Sequence, residues 1–296
     1  MPVRELSSPP SMAALYPKAV AGATVIPALR RVPGLGSLVG AGAGALPDRE
    51  LLLTDVEVDR GHLAAYDRVC GFRLRDELPP TYPHVVAFPL AMELMTDTSF
   101  PFPVVGLVHI ANRVETVRPM LASERFSARV WAGDLGEHER GMQFQVHAEA
   151  SVQGEAVWRS SSRYLHRSGG GGGGGDRSAD EAGRAGGAVW EVPGDIGRRY
   201  AAVSGDRNPI HLHPLGAKLF GMKGHIAHGM WTKARCLAAL EGELPESYTA
   251  EVRFKLPLFL PARVAFSTWV EGDVRHFSVR DVDSGKPHLE GTVAPR

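Results

Sequence analysis

The chain holds 296 residues, 44% hydrophobic and 22% charged, a balance that fits two modest globular domains and excludes bulk disorder and fibrous repeats. Its 33 basic and 33 acidic residues cancel, so no global field draws in a polyanion, and with no local basic stripe a nucleic-acid partner is not expected. No run approaches the roughly 20 apolar residues needed to span a bilayer, and two cysteines, Cys70 and Cys236, are too few for a disulfide framework, which fits a reducing cytoplasm.

Residues 1–45 are rich in Ala, Gly and Pro. The apolar stretch from Ala19 to Leu29 is interrupted by Pro27 and followed by Arg30 and Arg31, unlike a signal peptide, and the segment reads as an extended, partly ordered arm. Residues 46–167 form a first module. Period-2 stretches at Phe126 to Trp131, Met142 to Val152 and Ala156 to Tyr164 predict strands there. The apolar Phe100 to Val105 reads as core or as the lining of an acyl tunnel, and His109 and Asn112 follow in a strand-like segment.

Residues 168–183 contain the seven consecutive glycines Gly169 to Gly175, which bury nothing and are costly to order, so they predict a linker. Residues 184–296 then repeat the first module. Tyr200, Val203, Gly205 and Arg207 lie without a gap over Tyr66, Val69, Gly71 and Arg73; Ile226 to Met230 fall over Val86 to Leu90, and Leu256 to Phe259 over Arg118 to Leu121. Three matches in one order predict duplication of a single module. In the second copy Ala250, Val252, Phe254 and Leu256 alternate with Glu251, Arg253 and Lys255, a half-buried strand, continued at Val264 to Val270, Val274 to Val282 and His288 to Val293. Between Gly216 and Leu240 the apolar residues Leu219, Phe220, Ile226, Met230, Ala234, Leu237 and Leu240 take a largely helical spacing after a glycine-containing break. The fold class expected is α+β, a long helix against a strongly curved antiparallel sheet in each half.

The densest group of reactive side chains is Ser204-Gly205-Asp206-Arg207-Asn208-Pro209-Ile210-His211-Leu212-His213. Pro209 fixes its own φ and biases Asn208 away from the α region, so Asp206 and His211 can converge as they could not on a regular helix. A carboxylate and an imidazole meeting at one point can hold a water and take its proton. The same residues also allow a purely structural role, with Asp206 closing an Asx turn or capping a helix near Pro214 and His211 filling a polar niche. Further on, Gly229 precedes the apolar helical run; its N–H, at a helix start, can receive a carbonyl oxygen on which charge grows, or the glycine can be a plain break before the helix.

Tyr200, Ser204-Gly205-Asp206-Arg207-Asn208-Pro209-Ile210-His211 and the later Ala227-His228-Gly229-Met230 resemble the hydratase motif of the MaoC-like dehydratases, the (R)-specific enoyl-CoA hydratases. The resemblance covers residues 184–296 well and the first half only weakly. It implies a double hotdog fold, with a catalytic C-terminal hotdog and an N-terminal hotdog that has lost its catalytic residues and helps form the acyl cavity. Phe72 stands where the repeat places Asp206, and Pro89 where it places Gly229. The resemblance further implies cofactor-free, reversible hydration of a trans-2-enoyl thioester carried on CoA or acyl carrier protein. In it Asp206 and His211 activate water and the Gly229 N–H polarises the thioester carbonyl. Asn208, Ser204, Tyr200 and His228 would bind substrate or support the site. A double hotdog satisfies internally the pairing that a single module obtains by dimerising, so monomer and homodimer both remain open.

Three other readings are distinguishable. A metal site could draw on His211, His213, His225 and His228 with Asp206, although His213 and His225 read as surface residues. Thioester hydrolysis would keep the fold and change the reaction. A non-catalytic acyl-binding or partner subunit would bind an enoyl thioester without turning it over.

Overall fold

The computed structural model describes residues 1–20, 44–167, 187–219 and 221–296. The glycine linker expected over 168–183, most of the arm and Phe220 lie outside the described residues.

In the first half, strand β1 (Val3–Leu6) and helix α1 (residues 12–20) precede β2 (Glu50–Val56), α2 (Arg60–Cys70), α3 (Tyr82–Met95), β3 (Val108–Thr116), β4 (Phe126–His138), β5 (Gly141–Val152) and β6 (Glu155–Arg167). The second half runs β7 (Ala188–Val192), α4 (Ile196–Ser204), α5 (Pro209–Leu212), α6 (Pro214–Leu219), α7 (Gly229–Ala239), β8 (Tyr248–Phe254), β9 (Ala262–Glu271), β10 (Val274–Asp281) and β11 (Pro287–Pro295). The single apolar helical run expected from 216 to 240 is therefore two helices, α6 and α7, with irregular chain between them. The arm is not extended throughout: β1 pairs in parallel with β2, and α1 sinks Leu15 and Ala19 into the core.

The strands of the described residues form one sheet in the order β1-β2-β4-β5-β6-β3-β8-β11-β10-β9-β7. Leaving out β1, the order β2-β4-β5-β6-β3 from one side mirrors β7-β9-β10-β11-β8 from the other, as two copies of one module joined at equivalent edges must. The seam is the antiparallel pair β3 and β8, in register from Ala111 opposite Arg253 to Thr116 opposite Tyr248. The alternation read in the sequence is visible here, since Tyr248, Ala250 and Val252 of β8 are buried. The helices α3 and α7 bury Leu90, Leu94, Trp231 and Leu237 in the common core. This is the double hotdog that the resemblance implies.

Lys233 of α7 is 0% exposed and crosses the seam; its Nζ donates to Asn112 Oδ1 at 2.6 Å, to Asn112 O at 3.3 Å and to Ala250 O at 2.9 Å. A buried amine with no carboxylate within hydrogen-bond reach among the described residues is tolerable because its Nζ finds three acceptors, and burial holds its pKa well below the ordinary lysine value against the opposing pull of Glu251. Asn112 thus faces the interior, where its amide also reaches Ser160 and Ser162.

The repeat is clearest at the helix ends. Helices α2 and α4 both stop at a glycine in the left-handed conformation, Gly71 (φ 85°) and Gly205 (φ 76°), whose N–H groups return to the carbonyls of Asp67 and Ala201. The next residue after each cap is Phe72 in one copy and Asp206 in the other. Phe72 is buried and stacks on Tyr66. The second correspondence drawn from the sequence needs correction. Helix α7 begins at Gly229 and α3 at Tyr82, so it is Tyr82 rather than Pro89 that shares the helix-start position. The first copy still lacks a free N–H there, because Tyr82 N–H donates to Pro79 O at 2.8 Å and the next residue is Pro83.

Candidate active site

The left-handed cap at Gly205 turns the chain out of α4 and presents Asp206 at the start of a tight loop. Asp206 Oδ1 accepts the Asn208 N–H at 3.1 Å and the Asp206 N–H meets Ser204 Oγ at 3.2 Å, so the carboxylate closes an Asx turn. Asn208 then acts as N-cap of α5, its Oδ1 facing the Ile210 N–H at 3.4 Å, with Pro209 in the first helical position. One turn later His211 is buried below the loop. The structural and chemical readings of this loop are compatible, because the turn that Asp206 closes is what carries His211 back toward it.

Close approach of α4 to α5 makes room for no side chain at Gly197: a Cβ there would lie 2.0 Å from the His211 carbonyl oxygen. The expected result of Gly197→Ala is a displaced α5, seen as a drop in melting temperature of several degrees together with a loss of activity, because one backbone must move and it carries His211.

Hydrogen bonds to carbonyl oxygens fix the tautomers, since a ring nitrogen facing a carbonyl must donate. His211 Nδ1 donates to Ile226 O at 2.9 Å, which leaves Nε2 with its lone pair free. His228 Nε2 donates to Asp206 O at 2.9 Å, and its ring stacks on that of His211 with centroids 3.7 Å apart. Tyr200 packs against His228 at 4.9 Å. His225 is buried and donates through Nε2 to Gly194 O at 2.8 Å, so it is a structural strut and not the surface residue the sequence implied. His213 is exposed.

Burial pushes the Asp206 carboxyl up, but His228, His211, the Asn208 N–H and the Tyr16 hydroxyl together outweigh it and hold the pKa below the ordinary value. Burial pushes His211 down despite the attraction of Asp206, and holds His228 at about 3, helped by His211. At neutral pH the site therefore contains one carboxylate and two neutral imidazoles.

Gly229 is the first residue of α7; its helix carries no side-chain cap at His228, and among the described residues nothing accepts the Gly229 N–H. A Cβ at Gly229 would sit 2.8 Å from Cε1 of Phe254, whose ring covers this helix start and packs on His109 at 4.9 Å. The structure thus brings together Tyr200, Ser204, Asp206, Asn208, His211, His228 and the adjoining Gly229.

Sequence reasoning passed over two contributors, Tyr16 and His84, and left the orientation of a third, His109, undecided. Tyr16 of α1 donates to Asp206 Oδ1 at 3.2 Å. His84 of α3 and His109 of β3 come from the first module and feel the charge of Asp206; burial holds them at about 4 and about 3. Tyr16 is the single tyrosine of the low-complexity arm, and no periodicity marks the two histidines.

Asp206, His211 and His228 have potential ligand atoms all within 4.8 Å of one another. His228 Nε2 is committed to the Asp206 carbonyl and His211 Nδ1 to Ile226, so a metal would have to take the opposite ring nitrogens, His211 Nε2 and the buried, unpartnered His228 Nδ1, together with the carboxylate.

Residues 193–292 match the model of the MaoC like domain. The chain is 36% identical over 275 residues to 3-hydroxyacyl-thioester dehydratase X of Mycobacterium tuberculosis, covering 88% of this chain and 97% of that one. The crystal structure of HtdX from the same organism superposes with a TM-score of 0.75 at 34% identity over 84% of this chain and 100% of that chain. A MaoC-like dehydratase from Phytophthora capsici, 19% identical, shares the fold with a TM-score of 0.68 over 83% of this chain and 95% of its own.

Proposed function

The chain belongs to the MaoC-like dehydratase family, and on that premise we propose that it is a hydro-lyase interconverting trans-2-enoyl thioesters and (R)-3-hydroxyacyl thioesters. The observation that carries this reading is that Asp206 and His211 bring side-chain atoms within 4.8 Å of each other, with His211 Nδ1 donating to Ile226 O and its Nε2 left open, beside the Gly229 N–H at the start of α7, which has no acceptor among the described residues. A water held by these two groups can attack a thioester carbonyl as well as Cβ, so what favours hydration over hydrolysis is the likeness to a 3-hydroxyacyl-thioester dehydratase.

In the hydration direction Asp206 and His211 Nε2 hold the water by two hydrogen bonds. The water oxygen bonds to Cβ as its proton passes to the dyad, and the π electrons of the double bond move toward the thioester oxygen. The Gly229 N–H, at the positive end of α7, receives that developing charge. The dyad then returns the proton to Cα, so that one water adds overall. Dehydration runs the same steps backwards. Asn208, Ser204, Tyr200 and His228 support this dyad, each through the contact already described, and no cofactor takes part.

We assign catalysis to residues 184–296 and the wall of the acyl cavity to residues 46–167, with residues 1–45 as an arm and 168–183 as a linker. Phe72 in place of a carboxylate and the occupied N–H of Tyr82 support one active site per chain. The acyl carrier is CoA or acyl carrier protein, the setting fatty-acid metabolism, and the oligomeric state monomer or homodimer. Two buried free thiols, Cys70 and Cys236, fit a cytoplasmic setting. Among the described residues no helix is long and apolar enough to cross a membrane.

The test follows enoyl absorbance when purified protein meets trans-2-enoyl-CoA of short and long chains, with chiral analysis of the product. Formation of the (R)-3-hydroxyacyl thioester supports the reading. Release of free thiol points to hydrolysis, and tight binding without turnover of either CoA or acyl-carrier-protein substrates points to a binding subunit.

A further inference from the structure

Tyr16 ties the N-terminal arm to the loop that holds Asp206. Its hydroxyl oxygen lies 3.2 Å from Asp206 Oδ1 and 3.1 Å from Gly205 O, and it accepts the Arg207 N–H. Among the described residues it is the one side chain that donates a hydrogen bond to the Asp206 carboxylate; His228 Nε2 stands 3.8 Å from Oδ2 and spends its proton on Asp206 O. The arm is anchored on both sides of this contact. Strand β1 pairs with β2 from Val3 opposite Glu50 to Leu6 opposite Leu53, Leu15 and Ala19 are buried, and Met12 packs over the Gly205 cap.

We infer that Tyr16 is a positioning residue for Asp206, orienting the carboxylate and favouring its ionised form, so that the arm is a working part of the active site. This rests on the proposed role of Asp206 as the base. A phenol has one proton and two acceptors within reach, and its oxygen is held in place by the Arg207 N–H. While Asp206 is ionised the proton goes to the carboxylate, the stronger, charge-assisted bond. When Asp206 takes a proton during turnover, the hydroxyl can turn to Gly205 O without moving its oxygen, so the protonated state is not met by a clash of two donors. Burial keeps the phenol itself well above its ordinary pKa, and it stays a donor.

The other groups that face Asp206 are His211 on α5, His228 before α7, Tyr200 on α4, and from the first module His84 on α3, His109 on β3 and Tyr164 on β6. Arg207 acts on Tyr16 from the loop itself. The acid limb of kcat/KM therefore reports this cluster titrating together. Removing the hydroxyl takes a positive dipole end away from the cluster, which raises the pKa of the carboxylate and of the imidazoles alike.

Tyr16→Phe keeps the ring and its packing. We expect its acid limb to move up by about one pH unit and its kcat at neutral pH to fall by about three- to tenfold, as loss of one hydrogen bond to a charged group predicts. Val130→Ala, in the buried core of β4 and outside the contacts of Asp206 and Tyr16, should melt at a lower temperature with the wild-type limb. An unmoved limb in Tyr16→Phe, or an equal shift in Val130→Ala, overturns the inference. A double-mutant cycle of Tyr16→Phe and Asp206→Ala, each of which removes the bond, reads it in thermal unfolding without turnover: non-additive shifts support it and additive shifts overturn it. If wild-type protein shows no hydratase activity while the cycle is non-additive, it is the proposed reaction that fails and not the contact.

Discussion

Asp206→Asn is expected to abolish most of the turnover, lowering kcat by about 10³-fold, while leaving the fold in place. Asn has the same volume and a carbonyl oxygen in the same position, so it can still accept the Asn208 N–H that closes the turn, at 3.1 Å in the wild type, and the Tyr16 hydroxyl. What it lacks is the negative charge and the capacity to take a proton. Because the native carboxyl is held below its ordinary pKa, the wild-type group is ionised throughout the neutral range and ready to act as base. The sign of the pH dependence follows: activity is present above the titration of this group and is lost as pH falls through it. Measured by enoyl absorbance, with circular dichroism and a melting curve as controls, a folded variant of near-zero rate supports the role. A folded variant retaining more than about a tenth of the wild-type rate would assign Asp206 to the turn alone.

The parts of this site that could be read from the sequence are those that local chemistry determines. Gly205 is a glycine because α4 ends in a left-handed residue, and Asn208-Pro209 breaks the helix where Asp206 must meet His211; these effects act within a few positions and need no tertiary information. The strands of both modules were visible for the same reason, since their alternation reports a sheet with one buried face. Contacts that join distant segments were not visible. Tyr16 meets Asp206 across 190 positions, from a segment whose composition signals only an arm. Lys233, a residue type that is almost never fully buried, is buried here because Asn112 and Ala250 at the seam supply its acceptors. The false pairing of Pro89 with Gly229 arose because the second copy carries α5 and α6 between α4 and α7 where the first has only a short connection between α2 and α3, and a drift of a few residues in the repeat does not register that difference.

Gly229→Ala tests the other half of the proposed chemistry. The substitution retains the N–H, so a loss of activity must come from where that N–H points. A Cβ at this position would be 2.8 Å from Cε1, 3.0 Å from Cδ1 and 3.1 Å from Cζ of Phe254. That ring packs against His109 with centroids 4.9 Å apart, and Tyr164 stacks on His109 at 4.7 Å. Either the ring or the start of α7 must move, and a shifted helix start carries His228 with it. Removing one oxyanion donor in other enzymes costs about 10² to 10³ in kcat, and misplacing this one should approach the lower figure. Overpacking adds a stability cost of about 1–3 kcal/mol. The double variant Gly229→Ala with Phe254→Leu separates the two effects, because the smaller side chain opens the space that the new methyl needs. Recovery of kcat in the double variant, measured with the same enoyl thioester, identifies displacement of the helix start as the cause. Wild-type kcat in Gly229→Ala alone would show that the thioester oxygen is stabilised elsewhere.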